Sequence, residues 1–195
     1  MTEEDIIKQY LQGTMVLHRH LCPRQVLGVR MGLLAAKLLQ LQLPQSDKRL
    51  LAFVETDGCF ADGVMVATGC SMGHRTMRLV DQGKVAVTFL DTKLERAIRV
   101  APAAGARAAA AAAMPDAPNR WKAQLDGYQV LPDEKLLNWQ DVRVELDWKR
   151  IVARPGVRAN CGQCGEEILN LREVESERGS LCRQCAGERY WSAAE

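Results

Sequence analysis

The chain has 195 residues, 47% of them hydrophobic and 26% charged, the make-up of an ordinary folded protein with room for one core domain and a small appended module. A formal net charge of +2 gives no general case for nucleic-acid binding, and no uncharged apolar run reaches the roughly 18 residues needed to span a bilayer. The acidic start Met1-Thr2-Glu3-Glu4-Asp5 is unlike a secretory signal, so a cytoplasmic setting with reduced thiols is expected. Its seven cysteines then point to metal ligation or reactivity.

In chain order, Thr2 to Asp5 reads as a capping box with Asp in the usual Glu place. Ile6, Ile7, Tyr10 and Leu11 follow at helical spacing, so a first helix is expected to end near Gly13. His18 and His20 come next and would point the same way in an extended segment. Pro23 suits the first turn of a second helix, whose buried face is carried by Leu27, Met31, Leu34, Leu38 and Leu41. Leu50 to Glu55 reads as a buried strand, Thr56 to Cys59 as a turn, Ala61 to Thr68 as a short helix, and Gly69 to Gly73 as a tight loop. Lys84 to Leu90 and Ala97 to Val100 form a plausible hairpin about Asp91 to Arg96. Ala103 to Met114 reads as a surface helix of biased composition. Leu131 to Glu134 marks a helix start, Val142 to Leu146 a strand, and Arg154-Pro155-Gly156 a boundary. Interspersed helices and strands with at least one hairpin give an α+β core over 1–154, followed by a small domain over 155–195.

That small domain carries Cys161, Cys164, Cys182 and Cys185, two CxxC pairs separated by seventeen residues, which is the spacing of a tetrathiolate zinc site. Such a site has no open coordination position, so it contributes folding energy and not chemistry. From Pro155 onward there are five arginines, no lysine and seven glutamates, a poor surface for phosphates. Neither nucleic acid nor membrane is expected as a partner.

The remaining metal-type residues all fall in the first 74 positions: His18, His20, Cys22, Cys59, Cys70 and His74. Cys22 stands where a helix N-terminus would lower its pKa, and Cys59 and Cys70 stand at element ends. Together they can make a mixed His/Cys metal site with an exchangeable position, or a reactive thiolate site with Cys22 or Cys59 as nucleophile. Asp57 and Asp62 are the nearby carboxylates, either as a base or, more plainly, as caps of the turn and helix. Taken singly, each of Cys22, Cys59 and Cys70 reads as a small apolar filler and His74 as a solvent-facing or capping residue.

The run HRHLCPRQVLGVRMGLLAAKLL resembles the HGHxCPGxxxGxRxxxxA signature of the formylmethanofuran dehydrogenase FmdE family. VETDGCFADGVMVATGCSMGHRTMRLVDQGKVAVTF and LLNWQDVRVEL are similar to later parts of that family, and CGQCGEE with LCRQCAGERYW to its appended zinc module. The resemblance implies a mixed sheet flanked by helices, somewhat thioredoxin-like, with a C-terminal treble-clef finger and a homodimeric state. It also implies a core cluster of His18, His20, Cys22, Cys59 and Cys70 that holds zinc or another transition metal. Arg19 and Arg24 stand where the family usually has glycine, so they narrow access to the site or supply an anion contact.

The function this suggests is a metal-binding accessory protein linked to molybdenum or tungsten formylmethanofuran dehydrogenase-type enzymes. The chain shows no iron–sulfur cysteine run and no nucleotide loop, so the redox reaction of those enzymes is not expected of it alone. A metal- or thiolate-dependent enzyme acting on a small molecule at the core cluster is the alternative. A third reading is an adaptor that docks on a larger enzyme complex through its finger.

Overall fold

The computed structural model describes the chain apart from Met1, Ser46, Arg154, Pro155, Arg178 and residues 193–195, and only the backbone of Ala153. Two compact units are present, Met1–Val144 and Glu145–Glu195. The expected boundary at Arg154 and Pro155 falls outside the described residues.

Helix α1 (Glu3–His18) opens with the capping box: the Asp5 N–H donates to Thr2 Oγ1 at 3.2 Å, and the Thr2 N–H donates back to Asp5 Oδ2 at 2.9 Å. It does not stop at Gly13. Ile7, Leu11 and Thr14 extend one buried stripe past the glycine, and a Cβ at Gly13 would lie only 2.8 Å from Val66 Cγ1, so the small residue serves packing. The helix ends instead at Arg19, in left-handed backbone at φ 59°.

Helix α2 (Pro23–Leu39) begins at the extended Cys22, whose N–H donates to Gln25 Oε1 at 2.8 Å. Strand β1 (Leu50–Val54) follows, and then Gly58, at φ 83° and ψ −162°, admits helix α3 (Cys59–Thr68). Helices α2 and α3 meet backbone to backbone. A Cβ on Gly28 would sit 2.3 Å from the Phe60 carbonyl oxygen, and one on Gly63 would sit 2.3 Å from that of Gln25. This contact, in the first half of each helix, sets the two N-termini side by side.

Strands β2 (Met77–Leu79), β3 (Val87–Asp91) and β4 (Arg96–Pro102) come next. Helices α4 (Ala106–Ala113), α5 (Arg120–Val130) and α6 (Asp133–Leu136) precede β5 (Leu137–Val142). The sheet has order β2-β1-β3-β4-β5, with β1 and β2 parallel and the other pairs antiparallel. Ala52, Phe89 and Ile98 stand in register across it. Leu50, Ala52, Val54, Val87, Phe89, Ile98 and Val100 belong to the same apolar core as the buried faces of the helices.

The core is therefore α+β, a mixed sheet flanked by helices. Two local expectations change. The strand expected over Val142 to Leu146 is instead Leu137–Val142, because pairing with β4 brings Leu137 into the core and packs Trp139 against it. The alanine-rich helix is more than a surface element: a Cβ on Gly127 of α5 would approach Ala110 to 2.8 Å, so methyl-sized side chains are what let α4 and α5 close. Buried Arg30 ties α2 to the corner after α5, donating to the carbonyls of Tyr128 and Leu131 at 2.9 and 2.8 Å and to Asp133 Oδ1 at 2.8 Å.

The second unit contains α7 (Trp148–Ala153) and two hairpins, β6 (Arg158–Asn160) with β7 (Glu167–Leu169) and β8 (Val174–Ser176) with β9 (Gly179–Leu181). Its apolar cluster consists of Cys161, Ile168 and Leu181, with Cys182 and Cys185 against it. Among the described residues, Cys182 and Cys185 are followed by turns and not by the helix that closes a treble clef. Gly187, at φ 109°, ends the single turn begun by the Ala186 N–H bond to the Cys182 carbonyl at 2.9 Å.

Candidate metal centres

The four C-terminal sulfurs lie within 4.8 Å of one another, and the Cys164 and Cys182 sulfurs are 3.9 Å apart. An ion held tetrahedrally by thiolates at about 2.3 Å sets sulfurs about 3.8 Å apart, so the donor set fits a metal. The backbone supports it: the Cys182 N–H donates to Cys161 Sγ at 3.3 Å and the Cys185 N–H to Cys182 Sγ at 3.4 Å. Backbone N–H groups, first that of Cys164 and then that of Cys182, hold the Cys161 thiol down to about 6. The Cys185 thiol is pushed up to about 12, first by its hydrogen bond with Cys182 and then by burial. A bound cation would remove the penalty on ionising the Cys185 thiol.

In the core unit, three helix ends converge. His18 is the last residue of α1, Cys22 the N-cap of α2, and Cys59 the first residue of α3. His18 Nε2 lies 3.1 Å from Cys59 Sγ, and His18 Nδ1 lies 3.0 Å from Asp62 Oδ2. Cys59 and Asp62 are three apart on α3 and so share a face. Burial, and then the adjoining Cys22 thiol, push the Cys59 thiol above its ordinary range. The His20 ring packs edge-on against His18 at 4.7 Å between centroids. The two rings meet through the left-handed turn at Arg19 and not through an extended segment.

Cys70 does not join them. It lies beyond the C-terminus of α3 whereas Cys59 opens that helix, and a helix of this length separates its ends by about 14 Å. Its thiol is wholly buried in the apolar core, donates to the Leu50 carbonyl at 3.4 Å, and is pushed up by burial. His74 is exposed. Among the described residues, the C-terminal cysteines are the one group of three or more ligand atoms gathered to within 4.8 Å.

Asp57 is exposed, while Asp62, expected more plainly as a cap, holds His18. Cys22 and Cys59 open onto a cleft of about 790 Å³ that Arg24, Lys84, Arg99 and Arg107 also line. Sequence reasoning singled out Arg24 alone of these four. The others come from a loop, a strand and a helix that no spacing rule connects.

A family model described as "FmdE, Molybdenum formylmethanofuran dehydrogenase operon" matches residues 17–146. The chain belongs to the FmdE family. The matched span contains His18, His20, Cys22, Cys59, Asp62 and Cys70 and ends before the C-terminal cysteines. A crystal structure of a tungsten formylmethanofuran dehydrogenase FmdE-like protein from Syntrophus aciditrophicus aligns with a TM-score of 0.63 at 20% identity, covering 95% of each chain. At that identity the likeness speaks to the fold. A curated relative from Archaeoglobus fulgidus, described as a probable S-adenosyl-L-methionine-binding protein, is 29% identical over 193 residues. The alignment takes in 89% of this FmdE-family chain, which spans about half the length of that relative. No helix among the described residues is long and apolar enough to cross a membrane.

Proposed function

We propose that this FmdE-family protein is a metal-binding accessory protein with two unlike sites. The C-terminal cysteines hold a structural zinc, and His18, Cys22 and Cys59, with His20 at hand, hold zinc or another transition metal in the core. The observation that carries the reading is the chain Asp62–His18–Cys59. A carboxylate on one ring nitrogen fixes the tautomer and leaves the other nitrogen to ligate, and here that nitrogen lies 3.1 Å from the Cys59 sulfur. Imidazole with thiolate suits zinc and its neighbours.

The family description supports service to a molybdenum formylmethanofuran dehydrogenase-type enzyme; service to a tungsten enzyme of that type and a cytoplasmic setting are part of the same proposal. The exposed run Met15, Val16 and Leu17 at the end of α1 fits a homodimer. The same Cys59–His18–Asp62 geometry also supports a second reading, a thiol enzyme acting on a small molecule, with Cys59 as nucleophile and His18 as its base. Burial raises the Cys59 thiol, so in this reading His18 must ionise it, whereas in the first the metal does.

Metal analysis of the purified protein tests the choice. Two ions per chain are expected, falling to one in Cys59→Ala with the fold intact. One ion per chain in both proteins, with a Cys59 thiol that alkylates rapidly at neutral pH, would favour the enzyme.

A further inference from the structure

The cleft that Cys22 and Cys59 open onto has an unbalanced lining. Arg24, Lys84, Arg99 and Arg107 contribute cationic groups, and among the described residues no carboxylate lines it. Arg99 is neutralised by a bidentate pair with Glu55 at 2.6 and 2.7 Å. Among the described residues the other three form no ion pair with a carboxylate. They reach the cleft from separate places: the first turn of α2, the loop before β3 and the first turn of α4. Three like charges around one concavity repel one another unless an anion lies among them.

The remaining walls suit an organic body. Trp121 is half exposed at the cleft, and Tyr128 is 3% exposed with its phenol met by Arg107. The exposed indole of Trp121 offers a surface for a flat group. The volume of about 790 Å³ lies in the range of small-molecule sites and exceeds what an inorganic ion needs. Three uncompensated cations match a phosphate ester dianion better than a single carboxylate.

We infer that this cleft binds a small organic phosphate with a flat or apolar body, the phosphate held by Arg24, Lys84 and Arg107 and the body laid against Trp121. The bound molecule then lies over the Cys22 and Cys59 thiols. The inference deepens the core-site reading proposed above by naming the class of molecule that reaches that site, yet phosphate binding itself needs no metal.

The test is calorimetric titration of the full chain with phenyl phosphate, with benzyl alcohol and benzylamine as uncharged and cationic controls. Metal content is measured in the same samples. Saturable binding of phenyl phosphate is expected, weakening as salt rises. Arg107→Ala and Lys84→Ala should each weaken it tenfold or more, and Trp121→Ala by a smaller factor; the controls should not bind. Absence of saturable binding, or binding of equal strength in the Arg24→Ala/Lys84→Ala/Arg107→Ala triple variant, overturns the inference. Failure of binding with two ions per chain sinks the phosphate site and leaves the metal reading standing. Arginine-dependent binding with one ion per chain does the reverse.

Discussion

The C-terminal cysteines and the core His/Cys cluster both gather thiols, but in opposite settings. In the C-terminal unit, three-residue strands and an apolar cluster of Cys161, Ile168 and Leu181 surround the sulfurs. So little buried surface does little to offset the entropy of ordering the segment, and under the proposed function ligation would supply the folding energy. In the core unit the reverse holds. A five-stranded sheet and a glycine-mediated helix contact build the unit, and they present His18, Cys22 and Cys59 at three helix ends. Where the scaffold is self-sufficient, the site proposed there is free to be incomplete, exchangeable and open to a cleft.

That contrast breaks first, and most visibly, at the cysteines of the finger. Cys161→Ala is expected to collapse the amide dispersion of residues 156–192 in a ¹⁵N spectrum while the signals of the core unit stay in place; a spectrum that keeps both sets would remove the division of labour. Next in size is Gly63→Ala. Its methyl would meet the Gln25 carbonyl oxygen at 2.3 Å, so α2 and α3 must move apart, at a cost of about 3 kcal/mol or more in chemical denaturation.

Asp62→Asn should leave stability nearly unchanged yet weaken metal binding in the core about 10- to 100-fold, since it loosens the ring that carries the ligand nitrogen. Competition with a chromophoric chelator reads that directly, and the finger's ion serves as the internal control.

The smallest effect concerns a carboxylate away from both sites. Burial works against the charge on Asp91, but Arg49 and the N–H groups of Lys93 and Leu94 outweigh it and hold the pKa below the usual value. A folded pKa below the unfolded value of about 3.9 means that this stability is present above pH 4 and is lost as pH falls through the folded value. Asp91→Asn should therefore cost about 1–2 kcal/mol at pH 7 and flatten the acid limb of the stability curve. An unchanged limb would show that acid unfolding is governed elsewhere.

The family motif and the periodicities carried much of this fold. The capping box at Thr2, the apolar face of α2, strand β1 and the β3–β4 hairpin were all legible because each is specified by neighbours within a few residues. Helix α5 and strand β2 went unread: α5 has little contrast between its faces, and β2 is three residues long and exists because β1 offers it a parallel edge. The ligand candidates were legible by type, and the family signature grouped them. Their membership was not, since Cys70 has the same motif-level standing as Cys59 and differs only in lying at the other end of α3.

By itself, the sequence determined the donor inventory, the CxxC spacing of the finger, the α+β character of the core and the family to which the chain belongs, because all of these are properties of short-range order along the backbone. Tertiary structure alone decided that Asp62 holds His18, that Cys70 is core filler, and that cations from α2, a loop and α4 line one cleft with two thiols. Those facts depend on how closely helices can approach, which Gly28 and Gly63 set through the space they leave empty.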